Sequence, residues 1–357
     1  MDQNTLKRCA DLLLVWYREN YRSFPWREEP TPYHVWLSEI MLQQTRIEAA
    51  MPYYHRFLEA VPDIVSLANL SEERLMKLWE GLGYYSRARN LQKAARIVCD
   101  RYGGELPADY DALLSLPGIG EYAAGAIASI AFGIAASAVD GNVMRVLARL
   151  CGDETDVLSS GAKRHYTALA DGMVPSHDPG SFNQAIMELG ETVCLPNAMP
   201  HCECCPLAEH CVAHADGIEQ QLPVRIKKTK RRVEDRTVML VIDHDGDEPR
   251  VLLHKRGKSG LLAGMWEFPN GLTGETVLDE RISVEPISTE MSLPTAKHLF
   301  SHIEWRMSAR LGYARLDDLP SDYVAATVEE LRHIYALPSA FRTFSEIVLK
   351  FLCKEEI

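Results

Sequence analysis

Two carboxylates in helical surroundings are the residues of this chain best suited to acid–base chemistry. Glu39 lies in PYHVWLSEIMLQQTR, a predicted helix that is apolar on nearly all sides. A buried carboxylate needs a partner or a raised pKa, and a raised pKa would let Glu39 donate a proton near neutral pH. Asp140 precedes the amphipathic segment GNVMRVLARL, where an isolated aspartate is most simply interpreted as an N-cap. From these residues alone, structural and catalytic roles stay open for both.

Five of the nine cysteines fall within one short segment, and four of them have the spacing of metal ligands. Cys194, Cys202, Cys205 and Cys211 form the pattern C-x7-C-x2-C-x5-C. Four thiolates in one segment suit a tetrahedral zinc ion or a [4Fe–4S] cluster, and spacing alone does not separate the two. Cys204 lies inside the two-residue gap and is interpreted as a bystander. The segment therefore predicts a metal centre rather than disulfides.

A glycine-rich turn offers a way to bind phosphate through the backbone. The chain reads LPGIG from Leu116 to Gly120, and the helical pattern EYAAGAIASIAFG follows. Gly118 and Gly120 permit a tight turn with outward N–H groups, and the next helix begins there with its positive dipole end. The same pattern is typical of an ordinary corner between two helices, so the motif alone leaves both interpretations open.

These residues must be positioned by more than one domain. The chain has 357 residues, of which 46% are hydrophobic and 25% charged, enough for two buried cores. Up to about residue 215, apolar residues recur every three or four positions between short Pro/Gly turns. That pattern predicts an all-α domain of roughly ten helices.

The hydrophobic period changes in the last third of the chain. TVMLVID and RVLLHKR flank an Asp-Gly turn and predict a β-hairpin. HLFSHIEW and MSARLGYARL predict further strands, and SAFRTFSEIVLKFL predicts a closing amphipathic helix. The predicted domains are a helical domain over 1–222, a linker over 223–235 and a small α+β domain over 236–357.

Charge is distributed unevenly along the chain. The formal net charge is −12, and residues 1–222 hold 18 basic and 29 acidic residues, which account for −11 of it. The net charge argues against broad attraction to nucleic acid and, if DNA is bound, predicts a shallow salt dependence. Seven basic residues between Arg225 and Arg236 mark an exposed linker suited to a polyanion. Because no stretch approaches the ~20 apolar residues of a membrane span and the start lacks a signal-peptide layout, we expect a soluble intracellular protein.

Five segments, taken together and in order, resemble one known family. They are WLSEIMLQQTR, WEGLGYYSRARNL, LPGIGEYAAGAI, AVDGNVMRVLARL and the four-cysteine segment. The sequence resembles the MutY-type adenine DNA glycosylases, members of the helix-hairpin-helix superfamily that also contains endonuclease III. The resemblance implies a multidomain fold. It would comprise an all-α helix-hairpin-helix glycosylase domain with a [4Fe–4S] cluster on the four cysteines, and an α+β Nudix-like C-terminal domain.

The resemblance also implies a reaction, the removal of adenine mispaired with 8-oxoguanine or guanine in base excision repair. Glu39 matches the general acid that protonates the flipped-out adenine, and Asp140 matches the carboxylate that stabilises an oxocarbenium-like sugar. Asn142 matches a polar neighbour that orients the site. Bifunctional relatives carry a lysine where this chain has Tyr122, and a tyrosine cannot form a Schiff base. A monofunctional glycosylase is therefore expected.

Further residues are assigned to substrate and DNA by the same resemblance. Gln44 and Tyr84 match residues that wedge into the duplex, and Ser301 matches the hydrogen-bonding residue of a loop that contacts 8-oxoguanine. The expected set is Trp26, Arg27, Gln44, Thr45, Tyr84, Leu116, Gly118, Gly120, Gln184, Phe300, Ser301 and His302.

The implied partner is double-stranded DNA containing adenine opposite 8-oxoguanine or guanine. The protein is expected to be a monomer without membrane association, cytoplasmic and associated with a bacterial-type nucleoid. The basic linker is a plausible docking strip for repair or replication proteins.

Departures from the family pattern leave three alternatives to weigh. Seven residues, none of them basic, separate the first two cysteines where relatives usually have six. GLTGETVLDERISVEP lacks the paired glutamates of a working Nudix hydrolase, so the C-terminal domain is expected to bind the lesion. The alternatives are a bifunctional glycosylase of the endonuclease III kind, a hydrolase of oxidised dGTP, and an iron–sulfur protein without chemistry of its own.

Overall fold

The computed structural model describes residues 1–226, 231–246, 248–286 and 293–353, and these fall into two compact units. The helical unit comprises residues 1–69 and 90–228, and the sheet unit comprises residues 70–89 and 229–357. The domain boundaries expected from the sequence stay a prediction. Lys227, Lys228 and Lys230 of the expected linker lie outside the described residues.

Helices make up nearly all regular structure before residue 216. They are α1 (Gln3–Asn20), α2 (Pro25–Glu28), α3 (Pro32–Leu42), α4 (Ile47–Ala60), α5 (Ile64–Asn69), α6 (Glu72–Trp79), α7 (Ser86–Tyr102), α8 (Tyr110–Leu114), α9 (Glu121–Phe132), α10 (Gly141–Cys151), α11 (Ala162–Asp171), α12 (Pro179–Thr192) and α13 (Val212–Ala215). Short 3-10 turns lie at Cys202–Cys204 and Ala208–His210. Thirteen helices replace the roughly ten expected, because α2, α8 and α13 have only four or five residues each and are too short for a periodic signal.

Side-chain caps set where several of these helices begin. Thr31, Ser71, Asp109 and Asp178 each accept a hydrogen bond from a backbone N–H in the first turn of the helix that follows. In the helical unit, α9 packs against α3 and α12, and α12 also packs against α1 and α10. This packing brings helices that are far apart in the sequence around one cleft. Within the described residues, no helix is long and apolar enough to cross a membrane.

A mixed sheet forms the centre of the sheet unit. Its strands are β1 (Arg232–Asp243), β2 (Arg250–Lys255), β3 (Trp266–Glu267), β4 (Asn270–Leu272), β5 (Glu285–Pro286), β6 (Ala296–Leu299), β7 (Ile303–Tyr313) and β8 (Tyr323–Ala326). Strands β1 and β7 run parallel along their length, from Arg232 opposite Ile303 to Ile242 opposite Tyr313. β1 and β2 form the expected antiparallel hairpin. Helices α14 (Val328–His333) and α15 (Arg342–Cys353) follow, and apolar residues of α15 share a core with the sheet.

The expected strands near residue 300 divide differently in the structure. The HLFSHIEW segment holds the end of β6, a turn at residues 300–302 and the start of β7, while most of MSARLGYARL continues β7. The expected single strand over 298–305 was therefore wrong. Apolar residues continue across the turn because Phe300 packs against Trp305, so hydrophobicity alone gave no sign of the break.

Candidate active site

A cleft of about 920 Å³ opens in the helical unit between the ends of α3, α9, α10 and α12. Nine residues predicted from the sequence line it: Trp26, Arg27, Glu39, Gln44, Thr45, Tyr122, Asp140, Asn142 and Gln184. They come from five separate stretches of chain. The packing of the helices, rather than any local motif, therefore assembles this cleft.

Glu39 is a buried carboxyl group with one close polar contact in the cleft. Its side chain projects from α3, and the residue is 8% exposed. The hydroxyl of Tyr122, on α9, donates a hydrogen bond of 2.6 Å to Glu39 Oε2. Burial raises the pKa of Glu39 to about 7, and the charge of Asp140 adds to that rise, while the Tyr122 hydrogen bond opposes it. Glu39 can therefore hold a transferable proton near neutral pH.

Tyr122 is held as a neutral phenol. Burial, and next the charge of Glu39, raise its pKa well above the usual value. Its hydroxyl also lies 3.4 Å from Met187 Sδ, a contact that the sequence did not single out. A phenol has no amine nitrogen, so Tyr122 cannot attack the sugar to form an imine. Tyr122 is thus placed to orient Glu39.

Asp140 is the N-cap of α10, as the sequence predicted, and it also faces the cleft. Its Oδ1 accepts from the Val143 N–H at 2.8 Å, and its Oδ2 accepts from the Asn142 side-chain amide at 3.0 Å. Burial raises the pKa of Asp140, whereas the backbone N–H groups of Val143 and Asn142 and the charge of Arg145 act in the opposite direction. More donors surround its charge than surround Glu39, so Asp140 is the better placed of the two to carry a negative charge.

Arg145 fixes the orientation of Asn142 and was not anticipated from the sequence. It is buried, and one of its Nη atoms donates to the Asn142 side-chain oxygen at 2.9 Å and to the Gly190 carbonyl at 2.7 Å. Because the oxygen of the amide is engaged there, its nitrogen faces Asp140. Arg145 Nε also donates to the Cys194 carbonyl at 2.8 Å. A basic residue within an apolar helical pattern was the signal that could have identified it.

A buried ion-pair group also lines the cleft. Glu188, on α12, is 1% exposed and pairs with Arg22 and, at 2.8 Å, with Arg27. The Arg27 guanidinium also lies 4.9 Å from the centre of the Phe24 ring. The sequence predicted Arg27 but missed Glu188, although an acid within the apolar FNQAIMELG is the same signal that identified Glu39. Glu188 holds Arg27 in place.

Trp26 and Gln184 form adjoining parts of the lining. Trp26 is buried and stacks on Phe24 with ring centres 5.2 Å apart, so packing already accounts for most of its surface. Gln184, on α12, is partly buried, and its amide lies 3.4 Å from the Gly180 carbonyl. Both line the cleft, and their expected role in substrate binding stays a prediction.

Gln44 and Tyr84 share an unusual backbone conformation. Gln44 has φ 58° and Tyr84 has φ 50°, backbone angles that residues other than glycine rarely adopt. Both residues are exposed, and Thr45 is partly buried beside Gln44. Strained, exposed positions of this kind often belong to ligand-contacting loops. Gln44 lies in the helical unit and Tyr84 in the sheet unit.

The four cysteines lie close together in the segment between α12 and α13. Burial raises the pKa of Cys202 to about 11 and that of Cys205 to about 12, and it raises that of Cys211 as well. The charges of the other cysteines raise these three pKa values further. Electrostatic interactions of this kind connect every pair among the four cysteines. Burial therefore favours neutral thiols until a cation binds among them. Cysteine sulfur is the ligand type of a [4Fe–4S] cluster, and the donor set fits that group.

The surroundings of the cysteines support that fit. Arg149 donates from Nη1 to Cys194 Sγ at 3.3 Å and to the Leu195 carbonyl at 2.9 Å, so a buried cation lies beside this sulfur. Cys204 is exposed and its sulfur lies near the His201 carbonyl, away from this group. Among the described residues, the group of His, Cys, Asp or Glu side chains whose ligand atoms all lie within 4.8 Å of one another is a different trio, Cys202, His214 and Glu219.

Comparison with known proteins gives the family. A model described as HhH-GPD superfamily base excision DNA repair protein matches residues 37–169, and a NUDIX domain model matches residues 237–346. The adenine DNA glycosylase of Buchnera aphidicola subsp. Schizaphis graminum is 33% identical over 303 residues, covering 84% of this chain and 85% of that protein. The chain belongs to the adenine DNA glycosylase family. The sequence resemblance and the predicted two-part fold class are thus confirmed.

Other members of this family are longer. The rat adenine DNA glycosylase is 39% identical over 306 residues, covering 72% of this chain and 59% of the relative. The chain spans between about half and three fifths of the first mammalian and plant relatives it matches. Among solved structures, a thermostable thymine-DNA glycosylase has a TM-score of 0.54 at 27% identity, covering 60% of this chain and 98% of its own.

The helix-hairpin-helix turn expected of this family lies between α8 and α9. Gly118 has φ +81°, and a Cβ there would lie 2.7 Å from Asn90 Cβ, so only glycine fits. Gly120 is the N-cap of α9 and carries no side chain that would satisfy the first N–H groups. The Leu116 side chain is buried, so only the backbone groups of this residue can contact a ligand at the turn. The turn is suited to an anion at the start of α9.

In the Nudix-like half, the turn at residues 300–302 exposes two of the three predicted residues. Ser301 and His302 are exposed, whereas the Phe300 ring packs between His298 and Trp305. Arg231 Nε donates to the Phe300 carbonyl at 3.1 Å. Phe300 therefore supports the turn from inside. Residues 273–284, all of them described, form no helix where a Nudix hydrolase would carry its glutamates.

Proposed function

We propose that this chain is a monofunctional DNA glycosylase that removes adenine mispaired with 8-oxoguanine or guanine, the first step of base excision repair. The observation that carries the proposal is the pair of unlike carboxyl groups in one cleft. Glu39 is buried with a pKa of about 7, while Asp140 is surrounded by hydrogen-bond donors. The names of the relatives support adenine as the base that is removed.

The two carboxyl groups divide the work of breaking the C1′–N9 bond. Glu39 gives its proton to a ring nitrogen of the flipped adenine, so that the base leaves as a neutral molecule. Positive charge then develops on the deoxyribose, and the Asp140 carboxylate stabilises it. Water adds to C1′ and loses a proton to a carboxylate. The products are free adenine and an abasic site in an uncut strand.

Other residues of the cleft orient these groups. Tyr122 holds Glu39 through its hydroxyl, and Asn142 holds Asp140, with its amide fixed by Arg145. Arg27, positioned by Glu188, presents hydrogen-bond donors toward the cleft. In this proposal Gln44 of the helical unit and Tyr84 of the sheet unit each insert into the duplex near the mispair. Ser301 and His302 contact the opposite 8-oxoguanine.

We further propose that Cys194, Cys202, Cys205 and Cys211 hold a [4Fe–4S] cluster. When bound, that group would cross-link the segment between α12 and α13 to itself through its four thiolates. Arg145 and Arg149 join this segment to the helix that begins at Asp140. An absorption band near ~400 nm in the purified protein is expected, because thiolate-to-iron charge transfer is visible whereas zinc is spectroscopically silent.

A glycosylase assay on defined duplexes tests the reaction. Duplexes with A opposite 8-oxoguanine, G or T are incubated with the protein, and abasic sites are revealed by hot alkali. We expect adenine release opposite 8-oxoguanine and guanine, with uncut strands when alkali is omitted. Glu39→Gln and Asp140→Asn should each lower the single-turnover rate at least ~100-fold, the scale of general-acid and electrostatic catalysis.

The matched control is Glu59→Gln, an exposed carboxyl on α4, which should leave the rate unchanged. If adenine release survives both site substitutions, the assignment of the carboxyl groups is wrong. Strand scission without alkali would favour a bifunctional enzyme. Turnover of 8-oxo-dGTP with magnesium would favour a nucleotide hydrolase.

A further inference from the structure

The loop between α6 and α7 presents Tyr84 to solvent in a strained conformation. Tyr84 is 46% exposed with φ 50°. Two groups fix the neighbouring backbone: Trp79 Nε1 donates to the Gly83 carbonyl at 3.1 Å, and Arg87 Nη2 donates to the same carbonyl at 3.1 Å. Such a backbone persists only where its surroundings determine it strongly. The loop is therefore built to hold Tyr84 in one place.

The same loop is fastened to a segment some 250 residues later in the chain. Glu80 Oε1 accepts a 2.7 Å hydrogen bond from the Leu337 N–H, and the Tyr85 hydroxyl lies 3.5 Å from the Leu337 carbonyl. Both backbone groups of Leu337 thus face the loop. A peptide N–H bound by a carboxylate is a charge-assisted hydrogen bond, the stronger kind.

Lys77 extends this attachment by one helical turn. Its Nζ lies 2.6 Å from Glu80 Oε2 and donates to the Leu331 carbonyl at 2.8 Å and to the Tyr335 carbonyl at 3.3 Å. The Lys77 side chain is only 12% exposed, so its charge is satisfied mainly by these groups. A cation at the end of α14 also meets the negative end of that helix. We refer to Lys77, Glu80 and the backbone of residues 331–337 as the clamp.

Arg89 makes a second attachment on the other side of the loop. It donates to the Ala263 carbonyl at 2.8 Å and to Glu72 at 2.7 Å. Leu262, next to Ala263, is another described residue with positive φ, at 56°. Residues 70–89 belong to the same compact unit as the Nudix-like half. The loop that carries Tyr84 is therefore part of the unit that carries Ser301.

We propose that Glu80 is a positioning residue that sets opposite-base specificity by clamping the Tyr84 loop to residues 331–337. The inference rests on the proposed function, since it concerns how that enzyme distinguishes 8-oxoguanine from guanine. With the clamp closed, Tyr84 and the turn at 300–302 are held in one rigid frame and meet the opposite base together. With the clamp open, Tyr84 moves independently of that turn, and the preference for the lesion falls.

The test compares Glu80→Ala, Glu80→Gln and, as matched control, Glu73→Ala on the exposed side of the same helix. Glutamine keeps an oxygen that accepts from the Leu337 N–H, whereas alanine keeps none. Dissociation constants are measured on duplexes that carry a non-cleavable adenine analogue opposite 8-oxoguanine or guanine. A 2-aminopurine beside the lesion reports local unstacking, and melting temperature reports folding.

We expect Glu80→Ala to lower the preference for 8-oxoguanine over guanine about tenfold, the loss expected for one charge-assisted hydrogen bond. Glu80→Gln should retain most of that preference, and Glu73→Ala all of it. The 2-aminopurine signal should fall with the preference in Glu80→Ala. The single-turnover rate on saturated enzyme should be unchanged in Glu73→Ala, an exposed residue outside the proposed binding and catalytic groups.

Two results would overturn the inference: an unchanged preference in folded Glu80→Ala, or an equal loss of affinity for both duplexes. If Glu80→Ala does not fold, Lys77→Met removes the same pair and must lower the preference. A failure of the proposed function itself is distinguishable, because the unsubstituted protein would then release no adenine from either duplex.

Discussion

At the scale of single residues, Glu39 and Asp140 are both buried in the cleft but differ in the hydrogen-bond donors around them. Burial raises the pKa of Glu39 and of Asp140, yet only Asp140 receives a backbone N–H and a fixed side-chain amide. In the proposed mechanism, the difference in donors, rather than in burial, separates the proton donor from the anion. A sequence shows residue types and apolar surroundings, which is why both residues could be predicted.

The raised pKa of Glu39 predicts a pH-dependent stability difference. Between about pH 4.5 and 7 the folded state keeps a proton on Glu39 that the unfolded state releases, so this residue lowers stability as the pH rises. Glu39→Gln removes that penalty. In urea denaturation, the variant should gain up to about 3 kcal/mol relative to the unsubstituted protein between pH 4 and pH 8.

The gain should be absent in Glu59→Gln, whose carboxyl group is exposed. An equal stability difference at both pH values would show that Glu39 titrates normally in the folded protein.

The partners of the site residues were not predictable from spacing. Tyr122 lies 83 positions after Glu39, and Glu188 lies 166 positions after Arg22, so only tertiary packing brings them together. Met187 and Arg145 gave weak signals at most, because methionine and arginine on a helix are usually packing or surface residues. The sequence therefore identified the two candidate carboxyl groups and missed much of what holds them.

At the scale of elements, caps and turns determine where functional groups stand. α10 begins at its Asp140 N-cap, which places that carboxylate at the cleft, and Gly118 allows the α8–α9 turn. Both were predicted because capping residues and glycines act locally. The hydrophobic pattern missed the short helices and the turn at 300–302, since neither creates a distinct hydrophobic period. A loop at 300–302 was expected only from the family resemblance.

Gly118→Ala is predicted to destabilise the helical unit, whereas Gly120→Ala is not. The Gly118 variant must place a Cβ at positive φ and 2.7 Å from Asn90 Cβ, while Gly120 has negative φ and nothing within 4 Å. The left-handed conformation alone costs roughly 1–2 kcal/mol for a residue with a Cβ. Chemical denaturation should show a loss of at least that size for Gly118→Ala and a loss below ~1 kcal/mol for Gly120→Ala. Equal losses would contradict the assigned geometry of the turn.

At the scale of the whole molecule, charge and packing follow different divisions of the chain. Most of the net negative charge lies before residue 223 in the sequence. The compact units divide the chain differently, because residues 70–89 lie within that acidic part of the sequence but belong to the sheet unit. Charge can be counted from the sequence. The placement of α6 depends on contacts such as those of Lys77 and Glu80 with residues 331–337. The local sequence of α6 does not predict these contacts, because the partners lie more than 250 positions later.

The charge distribution predicts weak, salt-tolerant binding to undamaged DNA. With 18 basic and 29 acidic residues before residue 223, few cations are available to displace counterions. A plot of log binding constant against log salt concentration for a duplex without a mispair should have a slope of magnitude below about 5. A slope near −10, measured by fluorescence anisotropy, would show that many more phosphates are neutralised than this composition suggests.

The membership of residues 70–89 in the sheet unit has a consequence for exchanging parts between relatives. The chain enters that unit after Asn69, leaves it after Arg89 and returns at residue 229, so the unit is built from two separate pieces of sequence. A chimera that takes only the C-terminal piece from a relative would pair it with a foreign α6. Lys77 and Glu80 would then face backbone groups that they were not matched to. The transferable module is the two pieces together, and a graft that includes residues 70–89 should fold and discriminate better than one that omits them.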